Sequence, residues 1–112
     1  MEYHIEIIGL SPLDAFKLFG QEGSLKSGSA IEIPEVGRIV YQGMIERRTV
    51  GAEAVLELLL ELGAAAGTGV AANFIYDKLK RKNSRIRIDR TEIEFEKGEI
   101  KRILNEKFEK KG

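Results

Sequence analysis

Residues 50–82 read VGAEAVLELLLELGAAAGTGVAANFIYDKLKRK, and how this stretch folds decides the rest of the chain. Leu, Ala and Val dominate it, and Glu53, Glu57 and Glu61 recur every four residues. Residues four apart share one face of an α-helix, so the spacing predicts a long helix over 50–82 with Thr49 as its cap. The triplet Gly67-Thr68-Gly69 predicts a kink or break within it, because glycine is a poor helix former. Beside the glutamate stripe the helix is apolar nearly all round, and such a helix needs more cover than a small sheet supplies. Leu59, Leu62, Ala66, Val70 and Phe74 are therefore the candidate interface or core positions. A homo-oligomer docked through this helix is the expected assembly.

Downstream, residues 85–88 (RIRI) and 92–95 (EIEF) alternate with period two, the signature of strands with one buried face. A hairpin turning at Arg90-Thr91 sets Ile88 opposite Ile93 and Ile86 opposite Phe95, with Arg87 facing Glu94 and Arg85 facing Glu96. The turn lacks Asn-Gly, so a four-residue loop is an equal alternative. Residues 99–110 form an amphipathic helix with Ile100, Ile103, Leu104 and Phe108 inward. Upstream, residues 3–8 read as a strand, with Tyr3, Ile5 and Ile7 on one face and His4 and Glu6 on the other. Ser11, Pro12 and Asp14 open a short helix over 12–19 that turns Leu13, Phe16 and Phe19 inward. A Gly/Ser loop over 20–29 leads to a strand over 30–33, stopped by Pro34, and another over 38–46 with a bulge at Gly43. The order β-α-β-β-α-β-β-α predicts one α+β domain over 1–112. Its small antiparallel or mixed sheet packs on the long Ala/Leu/Gly-rich helix and on the amphipathic C-terminal helix.

Composition narrows the chemistry. Eighteen basic and eighteen acidic residues cancel, so no long-range field draws the chain to nucleic acid or anionic lipid. Cysteine is absent, which removes disulfides, thiolate nucleophiles and cysteine metal sites and fits a reducing, cytoplasmic setting. Residues 1–5 have neither the basic nor the apolar region of a signal peptide. One histidine, His4, excludes a two-histidine zinc site, and no serine sits in a Gly-x-Ser-x-Gly turn. No catalytic residue, cofactor or metal is expected, and the chain reads as a non-enzyme. Gly63 to Gly69 has the GxxxGxG spacing of a dinucleotide-binding turn. That turn must follow a buried parallel strand, whereas here glutamates at helical spacing precede it. Close helix packing is the preferred reading of these small residues. The uncharged run over 62–76 is shorter than the ~20 residues that span a membrane, so a membrane-associated helix is a lesser alternative. The basic run from Lys78 to Arg90 offers Lys80, Arg81, Lys82 and Arg85 to phosphates, the main alternative function, though no aromatic residue is interleaved to stack on bases.

A Leu/Ala/Gly-rich helix ending in Ile75-Tyr76-Asp77-Lys78-Leu79-Lys80-Arg81-Lys82, followed by Arg85-Ile86-Arg87-Ile88, a hairpin and a terminal helix, resembles the effector-associated constant component proteins. These are small α/β accessory proteins of bacterial conflict systems, and the likeness covers about half the chain. The chain departs from that layout in having no Trp and in carrying Arg90 at the hairpin turn. The resemblance implies a non-catalytic component with an effector protein as a possible partner, and it carries over no functional residues.

Overall fold

The computed structural model describes residues 1–10, 12–19, 26–45, 54–63 and 67–111. The chain is α+β, with six antiparallel strands in one open sheet and three helices among the described residues. In chain order these are β1 (Glu2–Ile8), α1 (Pro12–Phe19), β2 (Ala30–Ile33), β3 (Gly37–Ile45), β4 (Val55–Leu62), α2 (Thr68–Leu79), β5 (Arg85–Ile88), β6 (Thr91–Ile93) and α3 (Lys97–Lys111). The expected helix over 50–82 is not formed. Within it Val55–Leu62 is strand β4 and only Thr68–Leu79 is helix, so the order of the described elements is β-α-β-β-β-α-β-β-α. The reason is numerical: a spacing of four is a near-multiple of 3.6 and an exact multiple of two, so Glu57 and Glu61 share a face in either structure. Leu56, Leu58, Leu60 and Leu62 then form an unbroken buried row on the opposite face, which a helix would have scattered. The expected caps Ser11 and Thr49 lie outside the described residues, as does Glu53.

The sheet runs β2-β3-β4-β1-β5-β6. Strand β1 sits between β4 and β5 and is antiparallel to both, so β4 and β5 point the same way and α2 carries the chain over β1 from one to the other. By the same geometry β1 and β3 are parallel, with β4 between them and α1 in the connection. Two interleaved split βαβ units of this kind are the ferredoxin-like arrangement, here extended by β2 at one edge and by β6 and α3 at the other. All three helices pack on the same face. Tyr3, Ile5, Ile7, Ile39, Tyr41, Leu56, Leu58, Leu60, Ile86 and Ile88 from that face share one core with Ala15 and Phe19 of α1, Ala71, Ala72, Ile75 and Leu79 of α2, and Ile100, Ile103 and Leu104 of α3. Phe19 meets Tyr41 edge to face at 5.8 Å between ring centres. The Tyr3 hydroxyl donates to the Leu104 carbonyl at 3.2 Å, tying β1 to α3 through the core.

Several local readings shift. In α1 the inward residues are Ala15 and Phe19, whereas Leu13 and Phe16 are exposed. The hairpin turns at Asp89-Arg90 rather than Arg90-Thr91, pairing Ile88 with Thr91, Arg87 with Glu92 and Ile86 with Ile93. Sliding the register by two residues preserves the face of every side chain, so the alternation looks the same from sequence. Both turn residues have positive φ, at 47° and 70°, the backbone of a two-residue type I′ connection built without glycine. Asp89 is fixed there from both sides: its N–H donates to the His4 carbonyl at 2.7 Å, and its carboxylate accepts the His4 N–H at 2.8 Å. The bulge in β3 falls at Gln42, beside Gly43.

Gly37 opens β3 where the backbone of β4 passes closest, and a Cβ at that position would collide with the Glu61 carbonyl oxygen. Backbone cannot move aside as a flexible side chain can. Gly37→Ala is expected to lower unfolding free energy by more than about 2 kcal/mol in urea titration, because overpacking against a central strand is among the costliest substitutions. The core tyrosines give a pH signature. Burial, and secondarily the Asp89 carboxylate, raises the Tyr3 phenol above its ordinary value, and burial raises that of Tyr41. A raised native value means that the folded state holds the proton more tightly, so this stability is complete below the unfolded tyrosine value of about 10 and is lost as pH rises through the higher folded values. Thermal midpoints measured at alkaline pH should fall above that point, and fall less steeply in Tyr3→Phe.

Candidate functional site

Among the described residues, one-sided helix packing leaves the second face of the sheet without helical cover, although Ile8, Val40 and Val55 on that face are buried. Its side chains are the odd set of β4 (Val55, Glu57, Leu59, Glu61) and their cross-strand neighbours. Leu59 sits at the centre, paired with Val40 of β3 on one side and His4 of β1 on the other, and is half-buried. Ile45, at the end of β3, is exposed beside Val55. Around these apolar positions the charge is unbalanced: Glu2, Glu6, Glu32, Glu57, Glu61 and Glu92 face three arginines.

Each arginine is already engaged. Arg38 Nε donates to Glu61 at 2.7 Å, Arg87 lies 3.6 Å from Glu6, and Arg85 lies 3.7 Å from Glu92. The carboxylate holds the Arg38 guanidinium further above its ordinary value. Two cross-strand pairs set glutamate against glutamate, Glu2 with Glu61 and Glu6 with Glu57, in the middle of the sheet. Like charges directly opposite one another destabilise a ladder. Arg38 relieves Glu61 and Arg87 relieves Glu6, while Glu57, on one of the two central strands, has no ion-pair partner among the described residues.

The five candidate interface positions do not share a surface. Leu59 is on the uncovered sheet face, Leu62 is in the core at 2% exposure, and Ala66 lies outside the described residues. Val70 is 49% exposed on α2, and Phe74 follows one turn later, half-buried, with Lys78 6.0 Å above its ring. These three form a stripe on the flank of α2 opposite Gly69 and Tyr76, which face Lys101 and Lys97 of α3. The basic run is divided as well. Lys80, Arg81 and Lys82 follow α2, whereas Arg85 and Arg87 point from β5 to the uncovered face and meet Glu92 and Glu6. Arg81 closes α2: its guanidinium donates to the Lys78 and Lys80 carbonyls at 3.0 Å each, and it lies 3.7 Å from Asp14 of α1. Lys80 rests 5.1 Å from the centre of the Phe95 ring. The single phosphate-binding patch expected from sequence is therefore split between two faces and largely tied into local contacts.

The glycine loop stands in a different context from the one expected. It follows a strand and opens α2, as a dinucleotide turn does, but β4 has antiparallel neighbours on both sides. A Cβ on Gly67 would press on the Val36 side chain at 2.9 Å, so this glycine admits a neighbouring side chain and leaves no cradle for a pyrophosphate there. Among the described residues, one open surface depression is lined by Glu35, Val36, Gly37, Arg38 and Glu61 and another by Lys80, Ser84, Arg85, Phe95 and Glu96. The Ser84 hydroxyl in the second is committed to the Arg81 carbonyl at 2.7 Å. Among the described residues no group of three His, Cys, Asp or Glu side chains could hold a metal, and no helix is long and apolar enough to cross a membrane. The membrane alternative depended on the helix over 50–82, within which Val55–Leu62 is β4.

No protein family matches the sequence, and no curated protein or solved structure matches it significantly. The uncovered sheet face is thus read from its own chemistry. The structural role assigned to Arg81 has a direct check: Arg81→Ala should lower the thermal midpoint by the equivalent of about 1 kcal/mol for lost hydrogen bonds at the end of α2. Lys82→Ala should leave the midpoint unchanged within error.

Proposed function

We propose that this chain is a non-enzymatic protein-interaction module that self-associates, and that the uncovered face of its sheet is the contact surface. The observation that carries this reading is the combination on one face of half-buried Leu59 and exposed Ile45 with glutamates opposed across the central strands. Local conflicts of this kind concentrate where a surface is shaped for something other than stability. The docking element moves accordingly from a long helix to the sheet, with Leu59 retained at its centre. An accessory role beside an effector protein is the setting that the resemblance over about residues 53–108 implies, and it rests on that resemblance alone.

The size of the face sets the strength expected. Strands spaced ~4.8 Å apart and about seven residues long at ~3.3 Å per residue offer roughly 500–600 Å² per copy, at the low end of specific interfaces. Association is therefore weak and concentration-dependent. Sedimentation velocity from about 1 μM to about 1 mM should show a rising average mass, since interfaces of this size fall in the micromolar range or weaker. Leu59→Lys, flanked on its own face by Glu57 and Glu61, should keep the monomer folded and shift assembly to at least tenfold higher concentration, about 1.4 kcal/mol. A wild-type chain that remains monomeric throughout would refute the reading.

A further inference from the structure

The sheet ends in two unlike edges, β6 and β2. Strand β6 has three residues, and the Glu94 carbonyl beyond it already accepts the Glu96 N–H at 2.8 Å. In its two-residue hairpin Thr91 and Ile93 turn their backbone groups to β5, so only Glu92 presents N–H and C=O outward, and self-pairing would set it against its own image. Strand β2 follows β3 in unbroken register, with Ile31 and Ile33 on the core face and Ala30 and Glu32 on the uncovered face. The Ser29 carbonyl accepts the Tyr41 N–H at 2.7 Å, so by alternation residues 31 and 33 also face β3, and the backbone groups of Ala30 and Glu32 point away from the sheet. Among the described residues these N–H and C=O groups have no partner. Residues 30–33 carry no lysine, proline or bulge and no charge on the core face, devices that commonly blunt an edge.

We infer that a second copy adds its own β2 to this edge, antiparallel, joining the two sheets into one. The contact uses the edge of the sheet and not its face, so it goes beyond the surface proposed above and stands apart from it. The sequence selects one register. Setting Ala30 opposite Glu32 of the second copy, and Glu32 opposite its Ala30, matches every free N–H to a free C=O. Sliding by two toward Pro34 would oppose the two Glu32 carboxylates and call on a residue that has no N–H. Sliding by two the other way would call on Gly28, whose N–H is already given to the Tyr41 carbonyl at 2.8 Å. In the selected register Ile31 meets Ile31 of the other copy at the two-fold axis, and a half-buried residue at the margin of the core gains an apolar neighbour. The axis stands perpendicular to the sheet, so the helices of both copies lie on one side and both uncovered faces on the other. Main-chain hydrogen bonds supply the affinity, as in strand addition generally.

The chain has no cysteine, so a single introduced thiol can form a disulfide only between molecules and reports the register directly. Ile31→Cys brings the two Cα atoms to about 4.5 Å, the spacing of a non-hydrogen-bonded pair and within disulfide reach. In Ala30→Cys and Glu32→Cys the equivalent atoms are about 8 Å apart, beyond it. At about 0.5 mM protein under oxidised glutathione, Ile31→Cys should form disulfide dimer about tenfold faster than either neighbour, or more. Adding Glu32→Pro to it removes an outward N–H and leaves the β2–β3 ladder in place, and with circular dichroism unchanged it should slow the cross-link about tenfold. Adding Leu59→Lys instead should leave the cross-link unchanged, which separates edge from face. Equal rates at the three positions, no cross-link from Ile31→Cys, indifference to Glu32→Pro in a folded variant, or loss of the cross-link with Leu59→Lys would each overturn the edge pairing. If Leu59→Lys disperses the assembly while Ile31→Cys does not cross-link, the inference falls and the proposed function stands. If Ile31→Cys cross-links at the expected rate and Leu59→Lys changes neither mass nor rate, the face reading falls and the edge pairing stands.

Discussion

Seven residues of β1, Glu2–Ile8, pair with residues 55–61 of β4 in an uninterrupted antiparallel ladder, and the remaining elements are placed by it. The ladder joins residues as far apart in sequence as Glu2 and Glu61, so much of the chain's loop-closure cost falls on it. In return it buries Tyr3, Ile5 and Ile7 with Leu56, Leu58 and Leu60 at zero exposure. The Met1 ammonium donates to the Leu62 carbonyl, and the Leu62 N–H donates to the Met1 carbonyl, both at 2.8 Å, closing the end of the ladder. Once β1 is seated beside β4, β3 takes the free edge of β4 and β5 takes the free edge of β1, and α1 and α2 must cross the sheet to make those connections.

Both crossings fall on the same side, which gives the molecule its asymmetry. A sheet with helices on one face has a core there and a second face whose composition is not dictated by that core. Here the second face is used for charge, and not economically: glutamate faces glutamate twice between the two central strands. Arginines of β3 and β5 offset part of this from the neighbouring strands. The cations that balance the rest of the sequence lie across the core on the helices, several of them bound there, Arg102 between Glu99 and Glu106 and Lys97 beside Asp77. The self-association reading follows from this distribution. Sequence-wide neutrality concealed it, because a net charge counts residues and ignores which face they occupy.

Most elements could be read from local pattern. The α1 boundaries, the β2 strand stopped by Pro34, the bulge beside Gly43 and the inward set of α3 follow from proline chemistry, glycine placement and apolar period. The misreading of β4 shows where local pattern ends. Glutamates at positions 57 and 61 satisfy both periods, and a Leu-rich run has high helix propensity, so nothing within the segment chooses between them. Two antiparallel partners choose the strand, by satisfying its backbone on both edges. The same error displaced the candidate site. Five positions assigned to one helical stripe belong to a strand, a core, a segment outside the described residues and a separate helix.

By itself the sequence determined the class of the protein and its chemical limits: an α+β chain without cysteine, with one histidine, and with its apolar residues patterned for strands and helices. These are properties of residue type and short-range spacing, which survive in any arrangement of the elements. Only the tertiary structure decided that residues 55–62 are a central strand, that all three helices cover one face, and that the other face gathers carboxylates around Leu59. Those outcomes depend on which strands become neighbours, a long-range choice set by the joint burial of β1 and β4 that no window of the sequence contains.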